Sequence, residues 1–336
     1  MILTNSLSGG GAERSMNLLS NNIYKKYDQV VLVSIFSGNL DLVHPLCRTI
    51  TLTSSKNMNL LRAAHLIIRF NRIVWREKPD LVILNCSLPE LLGAFLFHKL
   101  HLVVVEHSSG PWVKHQFIGK LVRYSLKLRH ANWVSVSDHL RIWPGTERAD
   151  ASIPNSIEPP LHNANLGKGG RPRRLVFVGR LSWEKRPEFV LNVSSTTNLP
   201  FLFIGSGDRL NELQMLAKSI GAHGSFLGHQ LNPWEHIREG DVLLVPSLFE
   251  GDGLTVLEGM QLGIPMLLAD IPAFRRFGIP EQLYCDSETE FVEALRTKKL
   301  IDLIVPKATT SKCMNGRKPE QVSRIWTNYI DKLLVN

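Results

Sequence analysis

The sequence predicts an α/β protein of two domains, each built on a doubly wound parallel sheet. Three observations predict it. The 336 residues exceed one typical domain and suit two of about 150 to 170 residues. Short strand-like runs alternate with helical stretches along the chain, the order expected of βαβ units. The runs themselves are apolar, as strands covered by helices on both faces are.

Composition narrows the class. With 44% hydrophobic and 21% charged residues the chain is ordinary globular material with enough apolar surface for two cores. Its four cysteines, Cys47, Cys86, Cys285 and Cys313, form no C-x-x-C pair, which argues against a disulfide framework or a zinc site and fits a reducing cytosol. No 18-residue apolar run is long enough to span a bilayer, and no charged start leads into an apolar signal region. The expected location is therefore cytoplasmic. The net charge of +9 is uneven: residues 1–160 hold 18 Lys/Arg against 11 Asp/Glu. A basic first half suits anionic lipid, nucleic acid or an acidic acceptor, and charge alone does not choose.

Along the first half, Ile2-Leu3-Thr4-Asn5 reads as the tail of a strand. Ser6-Leu7-Ser8-Gly9-Gly10-Gly11 then leads into a helix from Ala12. Three consecutive glycines at a helix start leave room for a ligand to touch backbone. Further strand-like runs fall at residues 29–35, 48–53, 80–84, 102–106 and 132–136, with helical patterns at 60–76, 89–100 and 112–129. Two of these helices are basic. Arg62, Arg69, Arg72 and Arg76 follow one face. Trp112, Val113, Phe117, Ile118, Leu121 and Val122 alternate with Lys114, Lys120, Arg123, Lys127 and Arg129, a pattern that suits an anionic membrane surface and equally a surface helix with its apolar side in the core. Between them, Val105-Glu106-His107-Ser108-Ser109 lies past the carboxyl end of a strand, the edge where open α/β sheets bind ligands. Residues 159–173, rich in Pro, Gly, Asn and basic side chains, read as a linker.

The second half opens with a strand running into Gly179-Arg180-Leu181-Ser182-Trp183-Glu184-Lys185. Arg180 and Lys185 put two cations where a diphosphate can be neutralised without metal. Residues 199–204 form the next strand and end in Gly205-Ser206-Gly207-Asp208. Phe226-Leu227-Gly228-His229-Gln230 forms another strand and turn. The apolar run Asp241-Val242-Leu243-Leu244-Val245 is stopped by Pro246. Gly251 and Gly253 permit a tight turn, and residues 254–262 have helical spacing, so a helix N-terminus with its free N–H groups faces the strand end. Glu250 and Glu258 bracket that turn with seven residues between them. Residues 265–268 give a further strand. Val322, Ile325, Trp326, Tyr329, Ile330, Leu333 and Leu334 mark a final amphipathic helix.

Two glutamates at this spacing, Phe249 before the first and Gly259-Met260 after the second, resemble the Glu-x7-Glu signature of glycosyltransferase family 4, retaining enzymes of the GT-B fold. The resemblance extends to Gly-Gly-Gly-Ala-Glu-Arg at 9–14, Glu106-His107, Ile153-Pro154-Asn155-Ser156-Ile157-Glu158 and Gly179-Arg180-Leu181 through Lys185. It covers residues 5–329 and points to bacterial surface-polysaccharide and lipopolysaccharide glycosyltransferases. It implies two Rossmann-like doubly wound parallel-sheet domains facing across a cleft: 1–165 on the acceptor side, 166–316 for the nucleotide-sugar, and a helix, 317–336, crossing back. It further implies that His107 contacts the transferred sugar and Glu250 positions it. Glu258 would bind ribose hydroxyls. Arg180, Lys185 and the backbone of Gly253, Leu254 and Thr255 would hold the diphosphate. Gly10 and Gly11 would lie near the phosphates, Gly205 near the nucleotide, and backbone at Gln230 near the base. Glu106 either orients the His107 ring or caps its strand. Two departures stand out: Arg186 replaces the family's Gly after the Lys, and the first strand is short, so that either the start site is misassigned or the N-terminal sheet is weakened.

The expected reaction is retaining transfer of a sugar from a nucleotide-sugar, UDP- rather than GDP-linked, to a hydroxyl of a lipid-linked or lipopolysaccharide glycan. It would occur at the inner face of the plasma membrane, with no nucleic-acid partner. No Asp-x-Asp pair is present, so no divalent metal and no other cofactor is expected. Two other readings stay open: a GT-B nucleotide-sugar 2-epimerase, and a degenerate, non-catalytic GT-B membrane adaptor.

Overall fold

The computed structural model describes residues 1–7, 10–37, 45–55, 59–158 and 170–335, the side chains of Leu60 and Lys114 excepted. The chain divides into two units, Met1–Ser156 with Gly316–Asn336, and Ile157–Asn315. Ser8 and Gly9 of the glycine loop, and residues 159–169 of the expected linker, lie outside the described residues.

The first unit runs β1 (Ile2–Thr4), α1 (Gly11–Ile23), β2 (Val31–Phe36), β3 (Arg48–Thr53), α2 (Leu60–Glu77), β4 (Leu81–Asn85), α3 (Ser87–Ala94), β5 (His101–Glu106), α4 (Gln116–Leu128), β6 (Asn132–Ser135) and β7 (Ala151–Ser152). The sheet order is β3-β2-β1-β4-β5-β6-β7, and all its pairings are parallel. The short β1 is central. Ile2 and Leu3 pair with Leu32 and Val33 on one side and with Ile83 and Leu84 on the other, so the expected weakening is not seen: the sheet is continuous through β1.

The helix expected over residues 89–100 stops at Ala94. Asn71 from α2 explains the stop. Its Nδ2 donates to the Phe95 carbonyl at 3.0 Å and its Oδ1 accepts from the Phe97 amide at 2.9 Å, taking up backbone groups that a longer helix would pair internally. Leu66, Phe70, Ile73 and Val74 of α2, Leu92 of α3, Leu96, and Val122 and Leu126 of α4 share one core cluster with the inward residues of the sheet. These three helices therefore cover the same face.

The second unit contains β8 (Arg174–Val178), α5 (Pro187–Thr197), β9 (Phe201–Ile204), α6 (Leu210–Ser219), β10 (Gly224–Phe226), β11 (Asp241–Val245), α7 (Leu254–Leu262), β12 (Met266–Ala269), α8 (Pro272–Arg275), β13 (Tyr284–Cys285), α9 (Glu288–Thr297) and α10 (Lys307–Met314). Its six strands lie in the order β10-β9-β8-β11-β12-β13, again all parallel. Every residue of β9, β11 and β12 is buried, as expected for strands covered on both faces. The last helix, α11 (Pro319–Val335), returns to the first unit. There Val322, Trp326 and Ile330 pack with Ile2, Met16 and Leu19, and Asp331 accepts from Tyr27 Oη at 2.9 Å and pairs with Lys26 at 2.7 Å.

In both sheets the strand order reverses once, between β1 and β4 and between β8 and β11. Outside the carboxyl ends of the strands at such a reversal, the two flanking loops part and leave a crevice.

Candidate active site

In the second unit the crevice lies between the loops after β8 and β11. Gly179 and Gly205 end adjacent strands with φ of 151° and 146°. A Cβ on Gly205 would sit 1.8 Å from the Gly179 carbonyl oxygen, and one on Gly207 would sit 2.2 Å from the Leu181 carbonyl oxygen. Only glycine lets these backbones approach so closely. After β8 a 3-10 turn, Trp183–Lys185, carries Lys185 back towards β11. Lys185 Nζ forms an ion pair with Glu250, and Ser247 Oγ donates to the same Glu250 Oε1 at 2.9 Å. Arg180 is exposed at the end of β8.

Arg186, where the resemblance expected Gly, adopts the left-handed conformation that glycine favours, with φ 46°. Its Nε donates to the Pro246 carbonyl at 2.7 Å, and its guanidinium lies over the Phe189 ring at 4.7 Å. These contacts hold the loop after β8 to the end of β11 and offset the backbone cost.

The turn between Glu250 and α7 is buried at Gly251, Asp252 and Gly253. Gly253, at φ 68°, caps α7, and its carbonyl accepts from the amides of Val256 and Leu257. Asp252 is buried and paired with Arg276. The first N–H groups of a helix have no intrahelical partner, so Leu254 and Thr255 present backbone donors at the positive end of the helix dipole. Glu258, one turn into α7, accepts from the indole Nε1 of Trp234 at 2.9 Å. Gln230 donates to the Leu227 carbonyl at 3.0 Å, and its Oε1 lies 3.3 Å from His236 Nε2.

In the first unit, Gly10 caps α1 without a side-chain hydrogen bond and Gly11 begins the helix. His107 follows β5. Its Nε2 lies 2.6 Å from Oδ1 of Asn85, a buried residue ending β4. Asn85 is therefore a partner of the imidazole, and Glu106 turns elsewhere. The buried Arg123 binds Glu106 through Nη1 and Nη2 and binds Glu90 through Nε at 2.8 Å and Nη2 at 2.7 Å. Glu90 also accepts from Trp112 Nε1 at 2.8 Å, and the guanidinium lies 5.0 Å from the Trp133 ring centroid. Arg123, read from sequence as one of the basic surface residues of α4, is thus an interior residue of a Glu-Arg-Glu cluster. One cation cannot neutralise two carboxylates. Burial pushes Glu106 up to about 7 against the pull of Arg123, with Glu90 adding to the rise. Burial opposes the charge of Arg123, but Glu90 and Glu106 outweigh it and raise its pKa.

Several of these residues gave no sequence signal. Asn85 is the last residue of an apolar strand and Trp234 lies in a short 3-10 turn, Pro233–His236. Ser247 follows Pro246, and Glu90 and Arg123 are 33 positions apart in sequence. Among the described residues no group of three or more His, Cys, Asp and Glu side chains could hold a metal ion.

Two parallel-sheet Rossmann-like units of this kind are the GT-B architecture of glycosyltransferases. More narrowly, residues 160–298, within the second unit, match the family Glycosyl transferases group 1. The chain is similar to the lipopolysaccharide 1,6-galactosyltransferase of Salmonella typhimurium, 26% identical over 245 residues, which are 65% of this chain and 63% of that one. It is 22% identical over 254 residues to the Escherichia coli UDP-Gal:alpha-D-GlcNAc-diphosphoundecaprenol alpha-1,3-galactosyltransferase, covering 65% of each. The matches thus span just under two thirds of these relatives. Among solved structures, the lipopolysaccharide outer core galactosyltransferase WaaB superposes with a TM-score of 0.64 at 18% identity over 98% of both chains. Anabaena Alr3699/HepE in complex with UDP and glucose does so with 0.77 at 14% identity, also over 98% of both. At these identities the superpositions speak to fold.

Proposed function

We propose that this chain is a glycosyltransferase that moves a sugar from a UDP-sugar to a hydroxyl of a lipid-linked or lipopolysaccharide glycan, with retention at the anomeric carbon and without a metal ion. The observation that carries the reading is the convergence, at one strand reversal, of Lys185, Glu250 and the glycine-capped N-terminus of α7. A cation and backbone donors suit a diphosphate, and a carboxylate beside them suits sugar hydroxyls. In this reading Arg180, Lys185 and the amides of Gly253, Leu254 and Thr255 stabilise the leaving diphosphate, which itself helps to deprotonate the acceptor. Glu250 positions the sugar, Glu258 takes the ribose, and Gly205 gives the nucleotide room. Backbone at Gln230 lies against the base. In the first unit, the sugar is assigned to His107 and the phosphates to the backbone of Gly10 and Gly11. The UDP preference follows the relatives, one of which is named for UDP-Gal.

Membrane association belongs to the same reading. Among the described residues no helix is long and apolar enough to cross a bilayer, while the outer face formed by α2, residues 94–98 and α4 is apolar and basic. Leu61, Ile68 and Trp75 are exposed at intervals of seven on α2, and Phe117, Leu121, Tyr124 and Leu128 follow one stripe of α4. Phe95 and Phe97 are exposed between them. Arg62, Arg69, Arg72, Arg76, Lys120 and Lys127 interleave with these side chains. Ser125 and Arg129 tie the 94–98 segment to α4 through the Ala94 and His98 carbonyls, as Asn71 ties it to α2. Apolar side chains fringed by cations complement an anionic lipid surface, here the cytoplasmic leaflet where a lipid-linked acceptor would be presented.

A thermal-shift series with UDP, GDP and no nucleotide, all in excess EDTA, tests the donor assignment. Ligand at a hundred times its Kd adds roughly 2.7 kcal/mol of stability. UDP is expected to raise the melting temperature and GDP not. No shift with either would overturn the site as read, and loss of transfer on adding EDTA would overturn metal independence.

A further inference from the structure

We infer that Asn85 fixes the tautomer of His107, holding the ring proton on Nε2 and leaving Nδ1 as the basic nitrogen. Asn85 is the last residue of β4, at the crevice between β1 and β4, and is fully buried. Its Nδ2 lies 3.0 Å from Thr4 Oγ1, at the end of β1, and 3.3 Å from the Ala12 carbonyl in the first turn of α1. A backbone carbonyl can only accept, so the amide nitrogen must face Ala12. A flipped amide would set oxygen against oxygen in a buried site. With its nitrogen committed, Asn85 turns Oδ1 to His107 Nε2 at 2.6 Å. Oδ1 also can only accept, so Nε2 carries the hydrogen.

Two further features make the arrangement rigid. Cys86, the next residue, has φ 81° and ψ 171°, a region that L residues other than glycine occupy only where surrounding contacts over-determine the backbone. On the other side of His107, Glu106 is held by Arg123 and its carbonyl accepts from the Val136 amide at 3.1 Å. The ring is thus set from β4 and its backbone from β5 and β6.

The consequence for turnover rests on the reading of His107 as the group that meets the transferred sugar. The tautomer decides which ring nitrogen carries the hydrogen and which is basic at the residue placed against the sugar. Asn85 is accordingly a positioning residue that acts through His107.

The test is a 1H–15N spectrum of the full chain with ring-labelled histidine, the His107 signals identified by their loss in His107→Gln. Above the titration of the ring, Nε2 should be the protonated nitrogen. Asn85→Ala should convert the ring to a mixture of tautomers, lower sugar transfer at least tenfold and leave the UDP-induced thermal shift in place. A wild-type ring protonated on Nδ1, or ring signals unchanged in Asn85→Ala, overturns the inference. If a variant fails to fold, the wild-type spectrum decides alone. The spectra need no turnover: an inactive chain with the Nε2–H ring would sink the functional reading and keep this one, and an active chain with the Nδ1–H ring would do the reverse.

Discussion

Lys185 and Glu250 are bound to each other across the ends of β8 and β11, although 65 positions separate them in sequence. The carboxylate is the more enclosed partner, with its side chain 10% exposed against 24% for the lysine, and Ser247 supports it from behind. On the proposed reading, an arriving diphosphate competes with Glu250 for Lys185. Lys185 is then given to the diphosphate and Glu250 to the sugar.

Separating the two roles is the first prediction. Lys185→Ala should weaken UDP binding about tenfold or more, the worth of one charge-assisted hydrogen bond. Glu250→Gln should retain the UDP-induced thermal shift and lose transfer by about two orders of magnitude, if the carboxylate acts on the sugar in the transition state. Calorimetric titration with UDP and initial rates on the two variants measure this. A Glu250→Gln protein that loses UDP affinity as severely as Lys185→Ala would mean that Glu250 serves only as a counter-ion.

Trp234 carries the second prediction. Its indole N–H holds one oxygen of Glu258 at 2.9 Å, so Trp234→Phe should keep the fold, remove one of the carboxylate's partners and weaken UDP several-fold. In a double-mutant cycle with Glu258→Gln the effects should fall short of additive. Strict additivity would show that the indole does not act through Glu258.

Much of the second unit's local arrangement was legible because it is local in sequence. Gly179, Arg180 and Lys185 lie on one strand–turn, and Glu250, Gly253 and Glu258 on another, so spacing alone brings them to a strand end. Partners supplied by tertiary structure were not legible. Arg123 reads as one more cation on an amphipathic helix, and only the fold shows that its position faces Glu90 from α3 and Glu106 from β5. Asn85 ends a strand whose other residues are all apolar, and its role depends on β1 and α1 arriving beside it. The early end of α3 was hidden for the same reason, since Asn71 on α2 terminates it. The short β1 misled in the opposite direction: few residues in the centre of a sheet bond on both sides.

The Glu90–Arg123–Glu106 cluster yields the third prediction. Arg123→Met should destabilise the first unit by roughly 3 to 5 kcal/mol, because it leaves two buried carboxylates without their cation. The same cluster gives a pH dependence of known sign. Glu106 is raised to about 7 from an unfolded value near the usual carboxylate range. Its contribution to stability is therefore complete below the unfolded value and lost as pH rises towards and through about 7. Urea melts at pH 5, 6, 7 and 8 should show wild type losing stability relative to Glu106→Gln across that window. Parallel pH profiles for the two proteins would place the titration elsewhere.

The outer face of α2 and α4 gives the last prediction. Trp75 is 67% exposed, Phe97 81% and Phe117 75%, and these rings stand among lysines and arginines, so both apolar insertion and attraction to anionic headgroups should contribute. In flotation with vesicles of mixed zwitterionic and anionic phospholipid, the chain should bind at low salt, bind less as salt rises, and bind weakly to purely zwitterionic vesicles. Phe117→Glu with Leu121→Glu should abolish flotation without changing the UDP-induced thermal shift, because neither residue is among those proposed to hold the nucleotide. Retained flotation in this double variant would move the membrane face away from α4. Equal binding to anionic and zwitterionic vesicles would remove the cations from the mechanism, leaving insertion of the aromatic side chains as its sole source.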